Sequence, residues 1–263
     1  MTDSAPTGIQ PLPGDRFAEL TGPLAGTIRM RLRVTASERL TPVMQQLVLT
    51  APELATFSYR PGQDVMLLVE VKDGRPVRRR YTIREVDTGR QQLTLGIVRH
   101  GDGPGERWLR SVQPGDEVEG IGPRGKIFPA ADAAWHLFIG DESALPAFFA
   151  MAGSLPAGAR ATVVLEVPGP QDEQPLTAAA GISLRWLHRG TRPAGDPAAL
   201  MAAAAAVPLP PGGHAYLAGE AKAVLALREV LEGRGMSKEQ LSPKAYWGRG
   251  RANAEHGEPA REG

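Results

Sequence analysis

The sequence predicts a β + α/β protein, in which a six-stranded antiparallel barrel is followed by a domain built on a parallel sheet. Up to residue 129, short apolar runs are separated by turns that contain Gly, Pro or Asp, whereas later apolar runs alternate with helical segments. The length of 263 residues also predicts about two domains. We expect a flexible lead-in, the barrel domain, the sheet domain and a flexible tail, at residues 1–26, 27–130, 135–249 and 250–263.

The predicted barrel begins at Ile28, from which apolar side chains alternate with arginines up to Val34. This period of two is typical of a strand with one buried face. Five further apolar runs predict the remaining strands: Val43–Leu49, Val65–Val71, Val77–Ile83, Leu93–Val98 and Val118–Ile121. One short helix, Glu106–Val112, interrupts the strands.

The second domain is predicted from strands that alternate with helices, the pattern of a parallel sheet. The predicted strands are Trp135–Ile139, Ala161–Val167, Ile182–Leu187 and Ala215–Ala218. The predicted helices cover residues 145–152, Pro197–Ala206 and residues 224–231.

Composition and patterning exclude several classes of function. The formal net charge of +1 gives no bulk attraction to nucleic acid or membranes. Without cysteine the chain has no disulfide, thiolate nucleophile or iron–sulfur ligand, and its five histidines lack metal-binding spacing. No apolar run reaches the ~18 residues of a membrane span, and the N-terminus lacks the pattern of a secretory signal. We therefore expect a cytoplasmic monomer without a metal site.

The predicted barrel strand Val77–Ile83, together with the residue after it, carries several polar side chains close to one another. Alternation places Arg80, Thr82 and Arg84 on one face of this strand. It places Tyr81 and Ile83 on the other face. An arginine fork suits a diphosphate, and a neighbouring tyrosine offers a flat face to a flavin ring. A solvated basic edge strand fits the same residues.

A Gly-rich turn opens the predicted helix that carries Trp108. The turn contains His100, Gly101, Gly103, Pro104 and Gly105. Free backbone N–H groups and the positive dipole end of such a helix start bind a diphosphate. An ordinary loop before a helix has the same composition, so it is the combination with the arginine–tyrosine strand that favours a flavin dinucleotide.

These segments resemble the siderophore-interacting proteins, the ferric-siderophore reductases of the ferredoxin-reductase-like superfamily. The resemblance continues in the same order and covers about residues 28–251, through Gly122–Gly125, Gly140–Ala147, Ala218–Ala221 and Ala245–Arg251. It implies that the arginine–tyrosine strand and the Gly-rich turn with Trp108 bind FAD. It also implies that the second domain receives NAD(P)H, that some members take electrons from ferredoxin, and that Fe(III) in a siderophore is reduced and released as Fe(II).

Two segments depart from the family pattern. Where the family usually has Gly-Pro-Ala-Ser, this chain has Gly103-Pro104-Gly105-Glu106. A carboxylate near a diphosphate weakens FAD binding unless Glu106 turns outward. Near the C-terminus, Gly248 replaces an expected arginine.

The predicted nucleotide surface of the second domain lies where strands end. The resemblance assigns Asp141, Glu142 and Ala144–Pro146 to the nicotinamide side. The predicted cofactor-binding residues of this domain are completed by Ser143, Gly219, Glu220, Tyr246 and Trp247. Ser143 equally fits a plain helix N-cap. Arg185, Arg189 and Arg192 are candidates for an adenosine 2′-phosphate, although a solvated loop is the commoner reading, and both NADH and NADPH fit.

The predicted substrate is an anionic ferric siderophore, which needs cations for docking. The candidates are Arg124, Lys126, Lys244, Arg249 and Arg251. Because the siderophore itself holds the iron, no protein metal ligand is expected. A general flavin or ferredoxin-type reductase and a non-catalytic siderophore-binding protein are the alternatives.

Overall fold

The computed structural model describes residues 26–179 and 181–249. The predicted lead-in before Gly26 and the tail from residue 250 lie outside these ranges, as does the candidate Arg251. The chain divides into two compact units between Lys126 and Ile127, and each unit is described by itself.

The first unit is a closed barrel of six antiparallel strands in the order β1-β2-β5-β4-β3-β6, which confirms the predicted architecture. The strands are β1 (Ile28–Arg39), β2 (Met44–Thr50), β3 (Asp64–Lys72), β4 (Arg75–Asp87), β5 (Gln92–Val98) and β6 (Glu117–Arg124). Helix α1 (Pro104–Ser111) follows β5.

The alternation in β1 sets the barrel core. Met30, Leu32 and Val34 are buried among the core side chains, while the arginines between them are exposed. Ile28, the first apolar residue of the pattern, is instead 38% exposed. Burying one face of each strand removes apolar surface from water, and this removal is the main stabilising contribution to the barrel.

Helix α1 begins two residues earlier than predicted. Gly103 is its N-cap in an extended conformation, and Pro104 occupies the first turn, where its missing N–H costs no hydrogen bond. Trp108 and Leu109 on one face of α1 are buried in the barrel core. The barrel therefore fixes the position of the first turn of α1.

The second unit is a five-stranded parallel sheet in the order β11-β10-β7-β8-β9. Its strands are β7 (Trp135–Asp141), β8 (Arg160–Val167), β9 (Gly181–His188), β10 (Gly213–Glu220) and β11 (Leu241–Trp247). Its helices are α2 (Leu145–Gly153), α3 (Ala198–Ala206) and α4 (Ala221–Gly233), close to the predicted ranges.

Strand β11 was not predicted as a strand. Its buried residues Leu241, Pro243 and Ala245 alternate with polar residues, but the proline argues against a strand. Because β11 lies at the edge of the sheet and pairs with β10 alone, it tolerates a residue without an N–H donor.

The strand order places a topological switch point between β7 and β10. The chain continues from β7 to β8 and β9 on one side, and β10 and β11 lie on the other. In open α/β sheets, ligands bind beyond the carboxyl ends of the strands at such a point. Those ends are Asp141 in β7 and Glu220 in β10.

Within the described ranges, no helix is long and apolar enough to cross a membrane. The same ranges contain no group of three or more His, Cys, Asp or Glu residues that could hold a metal ion.

Candidate functional site

The two faces of β4 differ in what they contact. Tyr81 and Ile83 pack against the barrel core, as the alternation predicts. Arg80 lies on the other face and binds Asp64 of β3 through two hydrogen bonds, at 2.8 and 2.5 Å. Arg84 departs from regular alternation because the pairing of β4 with β5 shifts register between Ile83 and Glu85.

The assignment of Arg80 to a diphosphate stays a prediction, and in the structure its guanidinium is engaged within the barrel. Asp64 is 3% exposed, and both of its carboxylate oxygens accept from the Arg80 guanidinium. A buried carboxylate requires such a partner. The guanidinium fork of Arg80 therefore has a structural role within the barrel.

Among the arginines of β4, Arg79 passes close to Gly105 of the Gly-rich turn. A Cβ atom on Gly105 would lie 3.3 Å from Arg79 Cγ and 2.8 Å from Tyr81 Oη, so both side chains pass close to the first turn of α1. Sequence reasoning missed Arg79, although strand alternation places it on the same face as Tyr81.

Tyr81 stacks on Trp108, with ring centroids 6.1 Å apart and an interplanar angle of 20°. Burial raises the pKa of the Tyr81 hydroxyl, with Arg79 opposing and Glu106 adding to the increase. The ring thus joins β4 to α1 through packing rather than standing free in solvent.

The Gly-rich turn presents backbone outward. Gly101 has φ +60°, a conformation that favours glycine, and a Cβ atom added to Gly103 would meet no other atom within 4 Å. The first turn of α1 has N–H groups without intrahelical acceptors, including those of Gly105 and Glu106. His100 at the start of the turn is exposed.

Burial also lowers the pKa of several guanidinium groups of the barrel. Desolvation is the largest cause for Arg78, Arg79, Arg84 and Arg124. Since desolvation disfavours the charged form, a bound anion would relieve this cost. The barrel therefore carries half-buried positive charge that suits a phosphate ligand.

Asp141 is the centre of a hydrogen-bond cluster in the sheet unit. Its Oδ1 accepts from the Ser143 amide and hydroxyl, at 2.9 and 2.5 Å. Its Oδ2 accepts from the Glu220 amide and from Trp247 Nε1, both at 2.9 Å. Burial and the neighbouring Glu142 carboxylate raise the Asp141 pKa to about 6, against the lowering effect of the Ser143 and Trp247 bonds. Asp141 therefore joins the ends of β7, β10 and β11.

The residues that cap the helical segments after β7 and β10 are carboxylates, whereas the sequence suggested Ser143 as a cap. Asp141, rather than Ser143, caps the short turn that precedes α2. Glu220 caps α4, because its Oε2 accepts from the amides of Lys222 and Ala223 at 2.6 and 3.0 Å. Asp141 and Glu220, two of the three predicted nucleotide carboxylates, thus organise the carboxyl ends of strands, and Ala144 is buried.

Replacing Gly219 with alanine should destabilise the sheet unit by about 2–4 kcal/mol. Its φ is +142°, and an added Cβ would lie 2.5 Å from Asp141 Oδ2. Thermal unfolding of the variant measures the loss. Gly233→Ala is the matched control, since a Cβ there meets no atom within 4 Å and alanine favours helix. Equal melting temperatures for both variants would contradict this role of Gly219.

Arg189 and Arg192 do not form a solvated loop, which corrects the commoner reading of the sequence. Arg189 is 8% exposed and binds both oxygens of Glu142, at 2.8 and 2.9 Å. Glu166 accepts from Arg192 at 3.1 Å and from Arg189 at 3.5 Å. These two arginines neutralise buried carboxylates, while Arg185 is exposed.

The candidate docking cations belong to both units. Arg124 is half-buried, with Nη1 3.2 Å from Met66 Sδ, and Lys126 is exposed. In the other unit, Lys244 Nζ lies 5.0 Å from the centroid of the Tyr246 ring. Arg249 is exposed, and its amide donates to Glu220 Oε1 at 3.2 Å.

Comparison with known families identifies the chain. Residues 133–250 match the model for siderophore-interacting proteins, and residues 69–127 match that for the siderophore-interacting FAD-binding domain. The chain belongs to the siderophore-interacting protein family. An uncharacterized protein of Mycobacterium tuberculosis is 38% identical to this family member over 189 residues, 67% of each chain.

Two further relatives have named activities. The ferric vibriobactin reductase of Vibrio cholerae is 32% identical over 182 residues, 67% of this chain and 66% of the relative. The NADPH-dependent ferric-chelate reductase of Escherichia coli is 27% identical over 177 residues, 66% of this chain and 67% of the relative.

Solved structures show the same fold. A siderophore utilization protein from T. fusca superposes with a TM-score of 0.79 at 29% identity, covering 89% of this chain and 98% of that chain. Ferredoxin–NADP+ reductase from Plasmodium falciparum gives a TM-score of 0.65 at 11% identity, over 83% of this chain and 96% of that chain. The latter likeness concerns the fold alone.

The hydrogen-bond donors at the start of α1 in the barrel unit of this siderophore-interacting protein fit the diphosphate of FAD. FAD contains a diphosphate, and the aliphatic part of the Arg79 side chain passes Gly105 in the first turn of α1, while its Nη1 donates to the Arg78 carbonyl at 2.7 Å. A helix start with an adjacent arginine is the donor arrangement that a diphosphate requires.

Proposed function

We propose that this protein is a FAD-dependent reductase that passes electrons from NAD(P)H to a ferric siderophore and so releases Fe(II). The observation that carries the proposal is the position of Arg79 and the Gly-rich turn within the segment that matches a siderophore-interacting FAD-binding domain. Relatives named as ferric vibriobactin reductase and NADPH-dependent ferric-chelate reductase support the reaction class.

The residues of the barrel bind and orient the cofactor in this proposal. The Arg79 guanidinium and the amides of Gly105 and Glu106 hold the diphosphate of FAD. Tyr81 and Trp108 fix α1 to β4, so these donors keep their positions. When bound, FAD supplies two-electron exchange with a nicotinamide and one-electron transfer to iron.

The sheet unit receives the nicotinamide nucleotide at the switch point between β7 and β10. Asp141 and Glu220 shape the strand ends there by holding Ser143, Trp247 and the first turn of α4. Half-buried or exposed cations, among them Arg124 and Arg249, attract the anionic siderophore complex. Iron leaves after reduction because Fe(II) binds hard oxygen donors less tightly than Fe(III).

A turnover assay tests this function. The FAD-loaded protein is mixed anaerobically with a ferric catecholate siderophore and with NADPH, NADH or reduced ferredoxin in separate arms, and a ferrous chelator records Fe(II). We expect Fe(II) formation with a nicotinamide donor. Formation with ferredoxin alone would reject NAD(P)H as the donor, and no Fe(II) in any arm would reject the reductase function.

Replacing Arg79 with alanine should weaken FAD binding about 10- to 100-fold, the cost of about 1.5–3 kcal/mol for a hydrogen bond to a charged group. FAD titration followed by quenching of flavin fluorescence measures the dissociation constant. Arg75→Ala, at an exposed position of the same strand, is the control and should bind FAD like the wild type. An unchanged affinity in Arg79→Ala would contradict the assigned diphosphate site.

A further inference from the structure

Glu106, the residue that departs from the family pattern, is turned into the protein rather than outward. It is the third residue of α1, and its side chain is only 5% exposed. Its Oε1 accepts from Arg99 Nη2 and Arg110 Nε, both at 3.0 Å. Arg99 follows β5 and Arg110 lies in α1, so Glu106 links the two sides of the Gly-rich turn.

Arg110, one of the two partners of Glu106, and the neighbouring Arg107 also hold the turn itself. Arg110 Nη2 donates to the Gly101 carbonyl at 3.1 Å, and Arg110 Nη1 lies 2.9 Å from Asp102 Oδ1. Arg107 Nη1 donates to the Asp102 carbonyl at 2.7 Å. These contacts fix the backbone immediately before the N-cap of α1.

The second carboxylate oxygen of Glu106 shows that the arrangement is not optimal for stability alone. Oε2 is buried and has no hydrogen-bond partner among the described residues. An unsatisfied buried acceptor costs about 1–3 kcal/mol, and more when charged. A smaller residue would avoid this cost but would not reach Arg99.

We propose that Glu106 is a positioning residue for the FAD diphosphate. Through Arg99 and Arg110 it holds the Gly-rich turn in the conformation that presents the first-turn amides of α1. Its charge is neutralised by these arginines, so the carboxylate does not repel the phosphates as the sequence alone suggests. This inference rests on the proposed function, because it concerns the same cofactor site.

The positioning role and a purely electrostatic role of Glu106 predict opposite changes in FAD affinity when the Glu106 charge is removed. If Glu106 acted only as a negative charge near the diphosphate, Glu106→Gln would tighten FAD binding. If Glu106 holds the turn, the same change weakens binding, because an amide cannot accept from both arginines with the strength of a carboxylate. The sign of the change distinguishes the two roles.

FAD titrations of the wild type, Glu106→Gln and Glu106→Ser test the inference. We expect both variants to bind FAD at least about 10-fold more weakly, a change of about 1.4 kcal/mol. At saturation their flavin absorbance spectra should match the wild type, because the diphosphate end alone is affected. Glu232→Gln, which alters an acid–arginine pair in α4, is the matched control and should bind normally.

The wild-type titration separates this inference from the function on which it rests. Absence of FAD binding by the wild type would overturn the proposed function. If the wild type binds FAD, equal or tighter binding by Glu106→Gln would overturn the positioning role alone. The melting temperatures without FAD provide the second measurement: a loss of affinity that occurs only together with unfolding of the variants at the titration temperature would also overturn it.

Discussion

Replacing Arg80 with alanine is expected to lower the stability of the barrel by about 3–5 kcal/mol, the usual cost of removing one member of a buried ion pair. Asp64 is 3% exposed and depends on the two hydrogen bonds from the Arg80 guanidinium. Without them, the buried carboxylate loses both of its hydrogen bonds from the Arg80 guanidinium. Native-state hydrogen exchange of amides in β3 and β4 measures the change locally.

Two comparisons sharpen the Arg80 prediction. Arg33→Ala removes an exposed partner of Glu117 and should cost less than about 1 kcal/mol. The double variant Arg80→Met with Asp64→Leu should recover most of the stability, because it removes both charges together. A single Arg80→Ala variant as stable as Arg33→Ala would show that Asp64 does not depend on Arg80.

Replacing Asp141 with alanine should destabilise the sheet unit by about 3 kcal/mol, since a buried donor left without an acceptor costs about 1–3 kcal/mol and the partly buried donors add to this loss. The affected donors are the amides of Ser143 and Glu220 and the indole N–H of Trp247. These groups lie at the ends of different strands, so the loss should extend beyond β7. Hydrogen exchange in β10 and β11 measures it.

The Trp247→Phe variant provides a comparison in which Asp141 loses one hydrogen-bond donor and the other donors keep their acceptor. It removes one donor to Asp141 Oδ2 and should cost about 1 kcal/mol. Glu229→Ala, at an exposed position of α4, should leave stability within about 0.5 kcal/mol of the wild type. An Asp141→Ala variant no less stable than Trp247→Phe would contradict the role of Asp141 in joining the strand ends.

The barrel strands could be predicted because local periodicity and tertiary burial agree in them. In β1, the side chains that alternate as apolar in the sequence are those that the closed barrel buries. The edge strand β11 could not be predicted, because its pairing with β10 outweighs a proline that locally disfavours a strand. Pairing between distant segments has no signal in a short window of sequence.

The site residues also divide into those that a local sequence feature indicates and those whose role depends on a partner in a distant segment. The Gly-rich turn and the helix after it are local features, and the sequence located both. Whether Arg79 or Arg80 faces the turn depends on which face of β4 points inward and on Asp64, a partner in another strand. Likewise, Asp141 bonds Trp247 across 106 positions of the chain, which no local motif indicates.

The most direct test of the account is a single-turnover experiment with the FAD-loaded protein under anaerobic conditions. NADPH or NADH should bleach the flavin absorbance, and a ferric catecholate siderophore added next should restore it while a ferrous chelator captures about two Fe(II) per flavin, since a hydride carries two electrons. Flavin that is bleached but not restored by the ferric siderophore would contradict the assignment of this protein as a ferric-siderophore reductase.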